Sequence, residues 1–266
     1  MSEKRTISKI QTLKNNTKCI SMLTAYDFTM ATLLNKAEID IILVGDSLGN
    51  LFSGHKTTLP VSLDEMIYHC KAVAKAADYS MVLGDLPFMS YQVSPEQARE
   101  SAGRLVKEGH AEAVKMEVNP AQLDHVKAVI ETGIPVMAHI GFTPQHVHQL
   151  GGYKIQGKTE EAQDSLITLA TQLQEMGSFG ILMEMVPSSL SKKLQTHLKV
   201  PTIGIGAGPH CDGQVLVTHD LLGLTQGKTP KFVRQYKNFA DETLSAIQSY
   251  QNDIQNKHFP NEEESF

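Results

Sequence analysis

Residues 113–139 read AVKMEVNPAQLDHVKAVIETGIPVMAH. Ala113–Met116 is an apolar run of strand length. Asn119 and Pro120 then open a helix, a capping side chain followed by the residue best tolerated at the first helical position. That helix ends near Gly133, and a second apolar run, Pro135–Ala138, begins at once. Strand, helix and strand in immediate succession predict a unit of two parallel strands joined by a helical crossover.

The same rhythm extends in both directions. Strand-length runs recur at Cys19–Leu23, Asp40–Val44, Met81–Gly84, Gly180–Met183, Thr202–Ile205 and Val215–Val217. Several are continuous instead of alternating, as expected of parallel strands buried on both faces. Ser94-Pro95-Glu96-Gln97 offers a helix start with an N-cap, a first-position Pro and a capping-box Gln. Thr159-Glu160-Glu161 starts another helix, which ends near Gly177. Eight such runs with helical crossovers predict an α/β fold, a (β/α)8 TIM barrel, with an open doubly wound sheet as the alternative. No Gly/Ser/Pro linker divides the chain. Residues 1–266 are therefore expected to form one barrel domain, with 1–16 as a short helix closing the barrel bottom and 256–266 as a polar tail.

Composition excludes several function classes. The chain has 266 residues, close to the ~250 typical of such barrels. Aromatics are 6% and Trp is absent, so the stacking platforms of single-strand nucleic-acid binders are missing. The net charge of −5 gives phosphate-backbone binding little support. Cys19, Cys70 and Cys211 lie far apart with no CxxC spacing, which argues against a disulfide scaffold or a cysteine zinc site. The N-terminus has no signal-like apolar run, and no stretch approaches the ~18 apolar residues of a membrane span. A cytoplasmic protein with small-molecule substrates is the default expectation.

Sites in barrels and open α/β sheets form at the carboxyl ends of the strands. The second run ends in Gly45-Asp46-Ser47 and the third in Asp85. The fourth carries Lys115 and Glu117, the fifth ends in His139 and the sixth in Glu184. Any one of these could be a helix cap or a loop residue. As a set they resist that reading: Asp46 leads into the long segment LGNLFSGHKTTLP and Asp85 into Leu86-Pro87-Phe88, neither of which reads as a helix start. Lys115 and Glu117 are two apart and face the same way on a strand. Burying Asp46, Asp85, Glu117 and Glu184 together requires a positive compensator, and a metal ion is the natural one. Carboxylate oxygens without cysteine suit Mg²⁺ or Mn²⁺ over zinc. His146 and His148 are the competing zinc pair, and a polar loop is expected to leave them facing solvent.

Two other motifs invite attention. Gly152–Thr159 matches the P-loop pattern GxxxxGK[ST], but the polar stretch TPQHVHQL stands where a strand should lead in. Gly204-Ile-Gly206-Ala-Gly208 begins like a dinucleotide fingerprint and then places Pro209 where Gly or Ala belongs. It is expected to be a tight turn at the barrel rim.

The segments TAYDF (24–28), LVGDSLGN (43–50), GDLPFMSY (84–91), VKMEVN (114–119), HIGFTPQ (139–145), GGYKIQGK (151–158), MEMVP (183–187) and GIGAGPHCDGQVLVTHDLLGL (204–224) closely resemble the ketopantoate hydroxymethyltransferase family. The resemblance runs from about Ile7 to Ser265, with the motifs agreeing in order and spacing. It implies a (β/α)8 barrel of the phosphoenolpyruvate/pyruvate type. The implied activity is transfer of a hydroxymethyl group from 5,10-methylenetetrahydrofolate to 3-methyl-2-oxobutanoate, giving 2-dehydropantoate and tetrahydrofolate by Mg²⁺-assisted enolisation, in pantothenate and coenzyme A biosynthesis. It also implies Asp46, Asp85 and Glu117 as ligands of one Mg²⁺ per subunit. The oxo-acid contacts it implies are Asp46, Ser47, Asp85, Lys115 and His139, and the proton acceptor is Glu184. Family members form homo-oligomers, often decamers. Because they carry Arg as readily as Lys at the position of Lys158, the resemblance also argues against a working P-loop. Met185 departs from a frequent Cys, and EEESF at the tail from the more usual EEHSF. The rival readings are another Mg²⁺-dependent carbon–carbon lyase or mutase of the same barrel class, an oxo-acid-binding barrel without catalysis, and a P-loop nucleotide-binding protein.

Overall fold

A computed structural model describes residues 3–227 and 229–266. Positions 1 and 2 of the expected N-terminal segment lie outside the described residues. Among the described residues the chain forms two compact units, Met1–Leu216 and Val217–Phe266.

The first unit contains the sheet. Its strands are β1 (Ile20–Thr24), β2 (Ile41–Val44), β3 (Met81–Asp85), β4 (Ala113–Glu117), β5 (Val136–Gly141), β6 (Gly180–Glu184), β7 (Thr202–Ile205) and β8 (Gly213–Leu216). Each pairs in parallel with the next, and β1 pairs with β8, so the sheet closes as a barrel. The expected (β/α)8 barrel is therefore the fold, and the open sheet is excluded.

Alternation along the strands sorts their side chains into two layers. Ile20, Met22, Ile41, Leu43, Met81, Leu83, Ala113, Met137, Leu182, Ile203 and Val215 pack into one cluster inside the barrel. The neighbours between them, such as Ile42, Val82, Val114, Met116, Ala138, Ile181 and Met183, join a second cluster with helix residues including Val73, Leu105, Val129, Leu173 and Leu194. Both faces are thus apolar, which is why the runs read as continuous. Each fully buried aliphatic side chain contributes roughly 1.5–3 kcal/mol. Ile10, from the helix Ile7–Asn15, belongs to the inner cluster and is fully buried, so this helix packs against the interior at the amino ends of the strands.

The helix starts follow their capping chemistry. Ser94 accepts from the Gln97 N–H, and Thr159 from the Ala162 N–H. Gln97 does not complete the expected capping box: its Oε1 accepts from Val93 N instead. The helix predicted after Asn119 begins as a 3-10 turn, Pro120–Gln122, and continues as Leu123–Ile130. One expectation is corrected: the segment after Asp46 is not simply a loop, because a short helix, Leu48–Leu51, begins almost at once.

The second unit holds the helices Thr218–Leu221 and Phe239–Gln255 and a 3-10 turn, Glu262–Glu264. Tyr236 N donates to Leu221 O within it, and Tyr250 stacks edgewise on Phe259.

Candidate active site at the carboxyl ends of the strands

The alternation that turns Ala113 inward and Val114 outward also turns Lys115 and Glu117 inward. Parallel register then sets Asp85 of β3 beside Lys115 of β4, and Glu117 of β4 beside His139 of β5. Gly141 of β5 pairs with Glu184 at the end of β6. The apolar interior therefore gives way, over the last turn of each strand, to a layer of ionisable groups.

Distances fix the arrangement. Lys115 Nζ lies 2.8 Å from Asp85 Oδ1 and 3.3 Å from His139 Nδ1. His139 Nε2 stands 3.4 Å from Glu184 Oε2, and its Nδ1 3.8 Å from Glu117 Oε1. An ammonium has only hydrogens to offer, so we assign Nδ1 as the acceptor and place the ring proton on Nε2, toward Glu184. Asp46, just past β2, donates its N–H to Asp85 Oδ2 at 3.1 Å. Ser47 follows it, and its hydroxyl lies 2.8 Å from that of Tyr26. Asp46, Asp85, Lys115, Glu117, His139 and Glu184 are thus brought together from five strands, with Ser47 at the edge.

The site is dry. Asp46, Asp85, Lys115, Glu117 and His139 are each exposed by 4% or less. Glu184 is the most open, with 16% of its side chain exposed. Burial pushes the carboxyls of Asp46 and Asp85 up against the pull of Lys115, and raises Glu117 against His146 and Lys115. Burial opposes the Lys115 ammonium too, but Asp85, Glu117 and Asp46 outweigh it and its pKa rises. In an isolated ion pair the acid would fall. Here both partners rise, because one ammonium serves several carboxylates in a poorly solvated space. Burial, and then the charge of Glu117, lifts Glu184 to about 8. Burial and Lys115 hold His139 well below the usual range, so it is neutral.

Glu117 Oε1 and Asp85 Oδ1 have no aligned hydrogen-bond donor; the contact of Asp85 Oδ1 with Lys115 is an ion pair. Buried carboxylate oxygens short of donors, with no sulfur among them, are the donor type of a hard divalent cation. Among the described residues, no three His, Cys, Asp or Glu side chains are gathered closely enough to hold an ion as they stand. The donor chemistry fits such a cation, and its ligands need side-chain rotation to converge on it.

Three residues around this layer escaped the sequence reading. His146 does not face solvent: its Nδ1 is 3.8 Å from Glu117 Oε2 and its Nε2 3.3 Å from Asn119 Nδ2, whereas His148 is exposed as expected. Gln145, buried beneath the site, donates its backbone N–H to Glu117 Oε2 and its side-chain amide to Asp46 Oδ2. Tyr91 is fully buried, with its hydroxyl 2.8 Å from Glu117 O and 3.0 Å from Gln145 Oε1. The only local signal for this group was Gly141. Its φ of +94° lies where other residues are strained, and a Cβ there would stand 2.4 Å from Glu184 O. Beyond that glycine the 3-10 turn Pro144–His146 sets Gln145 against Glu117 and Asp46.

The P-loop pattern lacks its strand: a short helix, Val147–Leu150, precedes it. The glycines at 206 and 208 adopt positive φ just beyond β7, a tight rim turn as expected.

Comparisons with known proteins bear on the fold and the family. Among solved structures, phosphonopyruvate hydrolase in complex with oxalate and Mg²⁺ superposes with a TM-score of 0.63 at 12% identity, over 97% of this chain and 92% of that one. 2,3-Dimethylmalate lyase, of the PEP mutase/isocitrate lyase superfamily, gives 0.58 at 13% identity, over 96% and 89%. At these identities the likenesses show the fold alone. A protein of Geobacter metallireducens named 3-methyl-2-oxobutanoate hydroxymethyltransferase is 48% identical over 266 residues, covering 100% of both chains. The ketopantoate hydroxymethyltransferase family model matches residues 4–262, and with that match the chain belongs to the ketopantoate hydroxymethyltransferase family.

Proposed function

We propose that this chain catalyses the reaction of 5,10-methylenetetrahydrofolate, 3-methyl-2-oxobutanoate and water to 2-dehydropantoate and tetrahydrofolate, a step toward pantothenate and coenzyme A. The observation that carries this reading is full-length similarity to a relative named for it. The strand-end chemistry supports it independently.

Asp46, Asp85 and Glu117 would hold a Mg²⁺ ion. Bound there, the ion supplies Lewis acidity to the ketone oxygen of the oxo-acid. Ser47 holds the substrate carboxylate by its hydroxyl or backbone N–H, while Asp46, Asp85 and His139 contact the oxo-acid around it. Lys115 places positive charge where negative charge develops as the carbon beside the ketone ionises. Glu184 takes the proton from that carbon. Its raised pKa, about 8, suits a base that must abstract a weakly acidic proton near neutral pH. The electron pair of the broken C–H bond then forms the new C–C bond to the methylene carbon of the folate as one of its C–N bonds breaks. Water displaces the other C–N bond and supplies the hydroxyl of 2-dehydropantoate, while the proton taken by Glu184 and one from water go to the two folate nitrogens to give tetrahydrofolate. Neutral His139 turns its Nε2–H toward Glu184 and so helps orient the base. A homo-oligomeric, cytoplasmic enzyme completes the reading; no helix among the described residues is long and apolar enough to cross a membrane.

Deuterium exchange into 3-methyl-2-oxobutanoate tests the first step, and tetrahydrofolate-dependent product formation tests the second. Exchange that needs Mg²⁺, with product that also needs the folate, is expected. Exchange without any folate-dependent product would point instead to a carbon–carbon lyase of the same barrel class. No exchange and no turnover would point to an oxo-acid-binding barrel.

A further inference from the structure

We propose that Gln145 is a positioning residue that sets the Asp46 and Glu117 carboxylates for cation binding, an inference that rests on reading those residues as cation ligands. Gln145 is 3% exposed and its amide is saturated. Nε2 donates to Asp46 Oδ2 at 3.0 Å and to Leu86 O at 2.9 Å. Oε1 accepts from Gln92 Nε2 at 2.9 Å and lies 3.0 Å from the Tyr91 hydroxyl. Its backbone N–H donates to Glu117 Oε2 at 2.9 Å.

The amide can point only one way. Leu86 O is a main-chain carbonyl and accepts only, so the nitrogen must face it. The second amide hydrogen is then aimed at Asp46 Oδ2. One buried residue thereby holds one oxygen on each of two carboxylates that come from different strands: its side-chain amide holds Asp46, a bond that substitution removes, and its main-chain N–H holds Glu117, whose Oε1 has no hydrogen-bond donor. Removing such a hydrogen bond behind a ligand leaves the ligand present but unoriented, which lowers metal affinity by about 10–100-fold.

The test is titration of the folded apo-protein with Mn²⁺ alone, followed by electron paramagnetic resonance, for wild type, Gln145→Met, Gln145→Leu, Tyr91→Phe and Asp85→Ala. Thermal melting runs alongside. Gln145→Met and Gln145→Leu are expected to weaken Mn²⁺ binding by about 10–100-fold well below their melting temperatures. Tyr91→Phe, which removes a hydroxyl that meets Gln145 Oε1 and the Glu117 main-chain carbonyl but no carboxylate oxygen, is expected to lower the melting temperature while leaving Mn²⁺ affinity within about threefold. A purely structural Gln145 would behave like Tyr91→Phe. Wild-type affinity in Gln145→Met together with lost binding in Asp85→Ala overturns this proposal alone. Wild-type affinity in Asp85→Ala overturns the ligand assignment, and the proposal with it. Should Gln145→Met fail to fold, Gln145→Leu decides on the same criterion.

Discussion

Replacing Lys115 with Met removes the ammonium and keeps most of the stem that fills the barrel. In the native protein Nζ sits 2.8 Å from Asp85 Oδ1, with the two side chains 5% and 1% exposed. At that burial the pair is not a surface salt bridge worth about 0–1 kcal/mol. Removing one partner of a buried pair costs about 3–5 kcal/mol, because the remaining charge is left without compensation. The loss must depend on pH. Burial already raises the Asp85 carboxyl, and deleting Lys115 removes the main opposing influence. A group whose folded pKa lies above its unfolded value contributes stability that is fully present below the unfolded pKa and lost as pH rises through the folded one. Lys115→Met should therefore be least stable at pH 8 and recover toward pH 5, as Asp85 and its neighbours take up protons. A divalent cation should replace the missing charge: Mg²⁺ at a hundred times its dissociation constant adds about 2.7 kcal/mol. Urea denaturation at 25 °C, at pH 5, 6 and 8 and with and without Mg²⁺, measures all three effects. A loss below about 1 kcal/mol at every pH would refute the claim that Lys115 compensates a buried carboxylate cluster.

Further perturbations address the other groups. Glu184→Gln should retain Mg²⁺-dependent oxo-acid binding and lose deuterium exchange; exchange at the wild-type rate would remove Glu184 as the base. Asp85→Ala should lose Mg²⁺ dependence and most activity in steady-state assays, and an unchanged Mg²⁺ response would exclude it as a ligand. The ascending limb of kcat/KM should fall at about 8, as Glu184 loses its proton, or below 8 when a cation neutralises the carboxylates beside it; a pH profile in which Glu184→Gln keeps that limb would assign it elsewhere. Gly141→Ala should lower the unfolding free energy by about 1–3 kcal/mol or more, since a strained φ and a carbonyl clash arise together; an unchanged melting temperature would show that the turn can relax.

Much of the barrel was legible along the chain because its signals are local. Ala113–Met116 and Pro135–Ala138 read as strands since both faces of a parallel barrel strand are apolar, and Asn119, Pro120 and Thr159 mark helix starts by hydrogen bonds made within one turn. Asp85, Lys115, Glu117, His139 and Glu184 were legible as candidates for a related reason: each ends or follows an apolar run, and period-two alternation places Lys115 and Glu117 on one face. Their charge, set against the apolar residues before them, was enough to suggest a compensating cation.

What the residues do to one another was not legible. Gln145 and Asp46 lie 99 residues apart, and nothing near either one marks the hydrogen bond between them. His146 read as a solvent-facing loop residue because its local sequence is polar; the folded chain sets it 3.8 Å from Glu117. The upward shifts of Asp46, Asp85, Glu117 and Glu184 likewise follow from burial beside one another, which barrel closure alone produces. The strands, most of the helices and the side chains that arrive at the carboxyl ends follow from local sequence, because alternation and capping act over a few residues. Tertiary structure decided how many carboxylates share Lys115 and which neutral groups hold them, because those interactions form only when strands distant in the chain meet around a closed barrel.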